Sequence, residues 1–570
     1  MFPSSTTADP LSVAAFTAPG QPFELIESVV RGARCRIFRH APRSLAQLYP
    51  LAQAHASKVF TVMEGARLTY AEVFAQAAVL AAQLSARGVG RGTHVAIAMR
   101  NRPEWLVAFI AITALGAVPV LVNSRGVAAE LAYSLTYTRC RHLIADERCA
   151  ALLASGLNDV ALQGVVVGAV PAGCAHWRTY ASLLAGARPQ TLPLTECAPE
   201  DPALIMFTSG TTGEAKGAVL NHVGLLTALM ANQLSGALLG ARMAAQRAVD
   251  PATLAQQAPQ PSTLLVFPLF HTSGCLSVFL TTLARGGKIV FLPRWNVRHA
   301  LELVQQERVT ALPAVPTMLW DVLQAPELAD FDTSSLMSLG TGGQGLPQNL
   351  LQAIQARFPR ALLGTGYGMT ETNGMVSLTV GEEFLRHPES AGRPLATAEV
   401  CIADEEGRAL PTGAAGEVCV RSAQNMLGYW ERPDADAAVF RGGWLHTGDV
   451  GYLDAEGFLH IIARMTDMII SGGENIYCAE VERVLAQHPQ VLEVATFGVP
   501  DARLGEKLLA VIVAREHAAL DSGQLTEFCR VRLAPYKVPR EWRFEAGPLE
   551  RTATGKLIKA QVRERLWGGS

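Results

Sequence analysis

The residues best able to do chemistry fall in five short stretches. In 204–222, LIMFTSGTTGEAKGAVLNH, an apolar strand feeds a loop holding Thr208, Ser209, Gly210, Thr211, Thr212, Gly213 and Lys216, with a helix expected after it. Glycines free backbone N–H groups to face an anion, hydroxyls add donors and a lysine adds positive charge, which is phosphate-binding chemistry. The spacing is not that of a Walker loop: Gly210 and Lys216 fall outside it, and Gly217 sits where a hydroxyl is needed. A Gly/Ser/Thr loop taken alone serves as often as a linker. Next, 364–372, GTGYGMTET, gathers glycines, Tyr367 and the pair Thr370 and Glu371. The stretch 444–454, WLHTGDVGYLD, puts Asp449 in a glycine turn, where an Asx turn is the ordinary use. Arg464 and Asp467 precede a glycine pair in 463–482, and Lys556 lies in the polar loop RTATGKLIK, where a solvated lysine is the bland reading.

Elements able to hold these residues alternate along the chain. Leu68 to Ala86 has the pattern of an amphipathic helix, 94–99 and 118–123 read as apolar strands, and Arg102 to Leu115 as a helix between them. Short apolar strands alternating with helices imply βαβ units and parallel sheets covered on both faces. The rhythm recurs at 263–320. From about 395, alternation around Gly/Pro turns suggests a small antiparallel section. After Arg464 a new unit begins, with helices at 479–487 and 522–533 and two strands between them. The segment Gly236 to Pro261, rich in Ala, Gln and Pro, reads as a surface excursion with little regular structure.

Composition closes off several classes. The 570 residues are 49% hydrophobic and 17% charged, enough apolar material for a large core. A net charge of −2 with no basic stripe argues against a nucleic-acid partner. The ten cysteines show no metal spacing, which fits a reduced, cytoplasmic chain. The N-terminus lacks the pattern of a signal peptide. The uncharged run Trp105 to Val122 mimics a membrane span, but Gly116 and Pro119 interrupt it, so a buried helix running into a buried strand is expected and no transmembrane segment.

In order and separation, the five motifs resemble those of the adenylate-forming superfamily of acyl-CoA synthetases, luciferases and peptide-synthetase adenylation domains, over residues 45–560. The resemblance implies an α/β fold. A large N-terminal domain, 1–463, would hold parallel and mixed sheets flanked by helices plus a small β-rich subdomain. A hinge at 464–467 would lead to a small mobile α+β domain, 468–570. It also implies ATP, Mg²⁺ and coenzyme A as cofactors and a small-molecule carboxylic acid as substrate; a homodimer stays open. By the same resemblance the 208–217 loop holds phosphates, Thr370 donates to the α-phosphate, Glu371 holds Mg²⁺, Asp449 and Arg464 meet the ribose, and Tyr367 faces adenine. Lys556 would bridge the α-phosphate and the acid, and Ser471, Gly472, Gly473 and Glu474 would line a pantetheine channel. Two departures stand out. Gly343 and Gln344 lie in Gly-Gly-Gln-Gly where the family commonly has Gly-Gly-Ala-Pro, and Thr466 takes the hinge position usually filled by Asp or Lys. The acid pocket is expected among His271, Cys275, Val315, Met318, Thr341, Gly342 and Met369, with glycines at 340, 342, 343, 364 and 366 leaving room for bulk. No charged group stands ready for an amino group or a second carboxylate, which favours an apolar acid, whether fatty, aryl or steroid-derived. Loading of a carrier protein and luciferase-like oxidation are the alternatives.

Overall fold

The computed structural model describes residues 11–156, 162–185, 191–208, 215–341, 346, 348–471, 474–501, 503–515, 520–552 and 557–567. Two large sheets dominate it. The first has eight strands, and its spatial order is Gly428–Tyr429, Lys216–Asn221, Pro202–Thr208, Val118–Leu121, His94–Ala98, His142–Asp146, Gln163–Val167 and Arg178–Thr179. From Pro202–Thr208 onward the pairing is parallel. The second has nine strands, six of them parallel, running from Leu362–Met369 through Ser338–Thr341, Ala311–Ala314, Ser262–Leu265 and Lys288–Phe291 to Val59–Met63. The central strands His94–Ala98, Val118–Leu121 and His142–Asp146 are almost wholly buried, as strands covered on both faces are, so they read as near-continuous apolar runs.

The membrane-like run resolves as expected. Pro103–Ala114 is a helix with Pro at its first turn, followed by the strand Val118–Leu121. Residues Trp105 to Ala114 are all buried, and Trp105 and Phe109 pack on Phe279 at 6.0 and 5.4 Å between ring centroids. Among the described residues one helix, His222–Gln246, is long and apolar enough to cross a bilayer, and half of its most apolar window is buried inside the fold.

That helix also corrects the reading of 236–261. It continues through Gly236 to Gln246 with Leu238, Ala241 and Ala244 buried, and Pro251–Gln257 forms a second, short helix capped by Asp250. Alanine and glutamine are good helix formers, and a short small-residue face can be buried without a strong apolar stripe, so composition alone misled. A second correction concerns the phosphate-type loop. It joins two antiparallel strands, Thr208 pairing with Lys216, and the helix starts only at His222.

Ala398–Ala403, Gly416–Ser422, Trp444–Leu453 and Leu459–Arg464 build the antiparallel section. A one-turn helix, Met465–Asp467, separates it from a five-stranded C-terminal sheet. The helices Cys478–Leu485 and Ser522–Arg530 share one core with that sheet, and Lys559–Trp567 packs on another. This last helix, beginning at the end of the polar RTATGKLIK stretch, was not among the expected elements.

Candidate active site

Leu362–Met369 ends at the turn Thr370–Thr372, which Asn373, at φ 54°, closes in the left-handed region. Thr372 ties the turn down by donating to the carbonyl of Gly374 at 2.7 Å. Thr370 is buried, and Glu371 points to Tyr429, whose hydroxyl donates to its Oε1 at 2.8 Å. Tyr429 belongs to an edge strand beside Lys216–Asn221, and the Lys216 ammonium stands 5.2 Å from its ring centroid. Burial, and then the neighbouring Glu371 charge, pushes the Tyr429 hydroxyl far up, so it remains a donor. Motifs far apart in sequence thus meet around one ring: a lysine, a carboxylate and a hydroxyl suited to phosphate and to a hard cation. Sequence reasoning missed Tyr429; the aromatic residue after Gly428, on an edge strand of a phosphate-type loop, is the clue it offered.

A second cluster centres on Asp449. Its carboxylate accepts from the Tyr367 hydroxyl at 2.7 Å and pairs with Arg464 Nε at 2.9 Å, across the Asp449–Arg464 register pair. Asp449 is buried. Desolvation and the Asp449 charge hold the Tyr367 phenol well above its ordinary value. Desolvation opposes the Arg464 charge, but Asp449, Tyr367 and Glu371 outweigh it and raise its pKa. Two bonds leave the carboxylate with free lone pairs, so it can still accept from a vicinal diol.

The expected acid pocket divides. Gly340 faces open space, but glycines at 364 and 366 are not there to make room for an acid. A Cβ at Gly364 would lie 2.9 Å from the carbonyl of Thr379, and one at Gly366 2.7 Å from that of Ser377, because the Gly374–Val380 strand approaches closely. Cys275 is a further correction: it lies at 0% exposure in the main core, and burial drives its thiol far up. Val315 is likewise buried among core residues. His271 ends a turn before the π-helix Ser273–Leu280, its carbonyl accepting from Cys275 N at 2.8 Å. Met318 and Met369 are half-buried. Thr341 ends a parallel strand, Ser471 is buried and Glu474 opens a strand. Ser209, Gly210, Thr211, Thr212, Gly213, Gly342, Gly343, Gln344, Gly472, Gly473 and Lys556 lie outside the described residues.

A cleft of about 600 Å³ opens where Arg100, Arg102, Asp146, Arg148 and Arg294 converge. These residues follow the carboxyl ends of His94–Ala98, His142–Asp146 and Lys288–Phe291. The chain goes from His94–Ala98 to a neighbour on one side, then to His142–Asp146 on the other, so the cleft sits at a topological switch point. Thr208 ends a parallel strand two places along the same sheet edge, roughly 10 Å away by strand spacing.

The chain is also similar to known proteins over most of its length. The model of the AMP-binding enzyme family matches residues 50–430, and that of the AMP-binding enzyme C-terminal domain matches 480–556. A feruloyl-CoA synthase from Amycolatopsis sp is 35% identical over 522 residues, 91% of this chain and 98% of that protein. The long-chain-fatty-acid–CoA ligase FadD13 of Mycobacterium tuberculosis is 32% identical over 526 residues, 92% and 97% of the two chains. Among solved structures, o-succinylbenzoate CoA synthetase (MenE) from Bacillus subtilis, in complex with an acyl-adenylate, superposes with a TM-score of 0.75 at 30% identity, covering 90% of this chain and 97% of that one.

Proposed function

The chain belongs to the AMP-binding, adenylate-forming enzyme family and is an AMP-forming acid–thiol ligase; from that premise we propose that it joins an apolar carboxylic acid to coenzyme A. A carboxylate oxygen attacks the α-phosphorus of ATP, the bond to the β-phosphate breaks and pyrophosphate leaves. The thiolate of coenzyme A then attacks the acyl carbon, the acyl–oxygen bond breaks and AMP leaves. At about 4 Å two unit charges repel by about 4 kcal/mol at an effective dielectric of about 20, so the first step needs cations and donors around the phosphates. Lys216 and the loop before it would take the β- and γ-phosphates, Thr370 the α-phosphate and Asp449 with Arg464 the ribose. Glu371 would hold Mg²⁺, which when bound neutralises phosphate charge. Lys556 would reach the α-phosphate from the small domain, and Ser471, Gly472, Gly473 and Glu474 would line the thiol's path.

The observation that carries the nucleotide half of this reading is the convergence on Tyr429 of Lys216 and Glu371, beside Asp449 with its two partners. For the acceptor, the arginine-rich cleft suits a ligand with several phosphates, as coenzyme A is. For the acid, Met318 and Met369, with open space beside Gly340, favour an apolar, bulky group. AMP release with a panel of fatty, aryl and polycyclic acids tests both. An apolar acid should release AMP at a rate that rises with added coenzyme A. Turnover with amino acids only, or equal rates with and without the thiol, would defeat the reading.

A further inference from the structure

Asp449 is aimed by an irregularity in its strand. Along Gly416–Ser422 the register advances two residues, from Glu417 to Cys419, while the partner strand uses four, from Val450 back to His446. Two extra residues therefore bulge out of Trp444–Leu453, and the bulge carries Thr447, Gly448 and Asp449. A bulge leaves ladder groups unpaired and needs other partners to hold its shape. Here two side chains, Glu417 and Thr447, supply partners. Glu417 Oε1 accepts from Gly448 N at 3.1 Å, and its Oε2 accepts from His446 Nδ1 at 2.7 Å. Gly448 sits at φ 71°, in the left-handed region. Thr447 completes the frame, donating to the Val418 carbonyl at 2.7 Å and accepting from Asp449 N at 3.1 Å.

We propose that Glu417 is a positioning residue for the nucleotide: it braces the bulge so that Asp449 presents its carboxylate to the ribose hydroxyls. The inference rests on the reading of Asp449 given above. Glu417 does not reach the ribose site itself; both of its oxygens are engaged within the bulge, and its side chain is 12% exposed. The trio Glu417, Cys419 and His446 also offers donors close enough together for a metal ion. A metal role fits poorly, because the Arg441 guanidinium lies 3.6 Å from the same carboxylate and burial, then Glu417, keeps the Cys419 thiol protonated, pushed up to about 12.

The test compares ATP with 2′,3′-dideoxy-ATP in acid-dependent pyrophosphate exchange, for the unaltered enzyme, Asp449→Ala, Glu417→Ala and Glu417→Gln, with melting temperatures alongside. Asp449→Ala should lower kcat/KM for ATP and leave the dideoxy analogue nearly unchanged. Glu417→Ala should show the same selective loss, about tenfold and mainly in KM, because hydrogen bonds to a charged group are lost at one remove. Glu417→Gln keeps an oxygen for Gly448 N–H and should fall between, which preserves the test if the alanine variant folds poorly. Equal losses on both nucleotides in the Glu417 variants, beside a selective loss in Asp449→Ala, would make Glu417 merely structural and overturn the inference alone. Equal losses in Asp449→Ala would overturn the ribose assignment and the inference with it.

Discussion

Tyr429 ties together groups that the sequence holds far apart. Its hydroxyl and Glu371 are separated by 58 positions, and Lys216 lies on a different strand again. Replacing it with Phe removes one charge-assisted hydrogen bond and keeps the ring under the lysine. Pyrophosphate exchange should then slow about tenfold, with a higher Mg²⁺ requirement. Tyr429→Leu should slow it further by also removing the ring face. A Mg²⁺ titration of exchange rates checks this, and unchanged curves for Tyr429→Phe would dissociate the hydroxyl from Glu371. Residue types were legible in the sequence at this scale, because glycine, hydroxyl, carboxylate and lysine declare their chemistry. Partners were not: nothing in the spacing of Tyr367 and Asp449 says that they bond. Nor could spacing show that Cys275 turns into the core, or that glycines at 364 and 366 answer to a neighbouring backbone.

Among elements, the parallel strands were legible because burial on both faces leaves an apolar run, and helices between them follow from length. The long helix was missed where its apolar periodicity weakens, from Gly236 onward, although Leu238, Ala241 and Ala244 still pack inward. Deleting 236–261 should therefore cost the fold and not merely trim a loop. Trypsin should cut at exposed Arg247, just past the end of the helix, leaving the remainder folded; gel analysis of a timed digest checks this, and early cleavage at Arg242 would contradict it. An ion-pair cluster centred on the buried Glu307 joins other elements. Glu307, at the end of the Val297–Gln306 helix, pairs with Arg67 and, at 2.7 Å, with Lys288 on two strands of the second sheet. Burial opposes its charge, but Lys288 and Arg67 outweigh it and hold the carboxyl below its ordinary 4.5. A depressed carboxyl stabilises the fold above about pH 4.5, and that contribution is lost as pH falls through the lower folded value. Glu307→Gln should cost about 3 kcal/mol at neutral pH and flatten the acid limb of a urea-denaturation series below pH 4.5. An unchanged acid limb would remove Glu307 from the account.

At the scale of the whole molecule, the small C-terminal unit touches the large one through surface contacts. Arg483 lies 3.6 Å from Glu389, with both side chains more than half exposed, and the Arg515 guanidinium sits 5.5 Å from the Trp320 ring centroid. Exposed ion pairs contribute about 0–1 kcal/mol, so such contacts allow the reorientation that two successive half-reactions would need. How the two units dock was not legible in the sequence, because docking contacts have no local sequence pattern. In an acyl-adenylate route one carboxylate oxygen becomes part of AMP. An apolar acid labelled with ¹⁸O in both carboxylate oxygens, turned over with ATP and coenzyme A, tests it by mass spectrometry of the products. One labelled oxygen should appear in AMP and the other in the thioester. Label in inorganic phosphate or pyrophosphate, or AMP free of label, would contradict it.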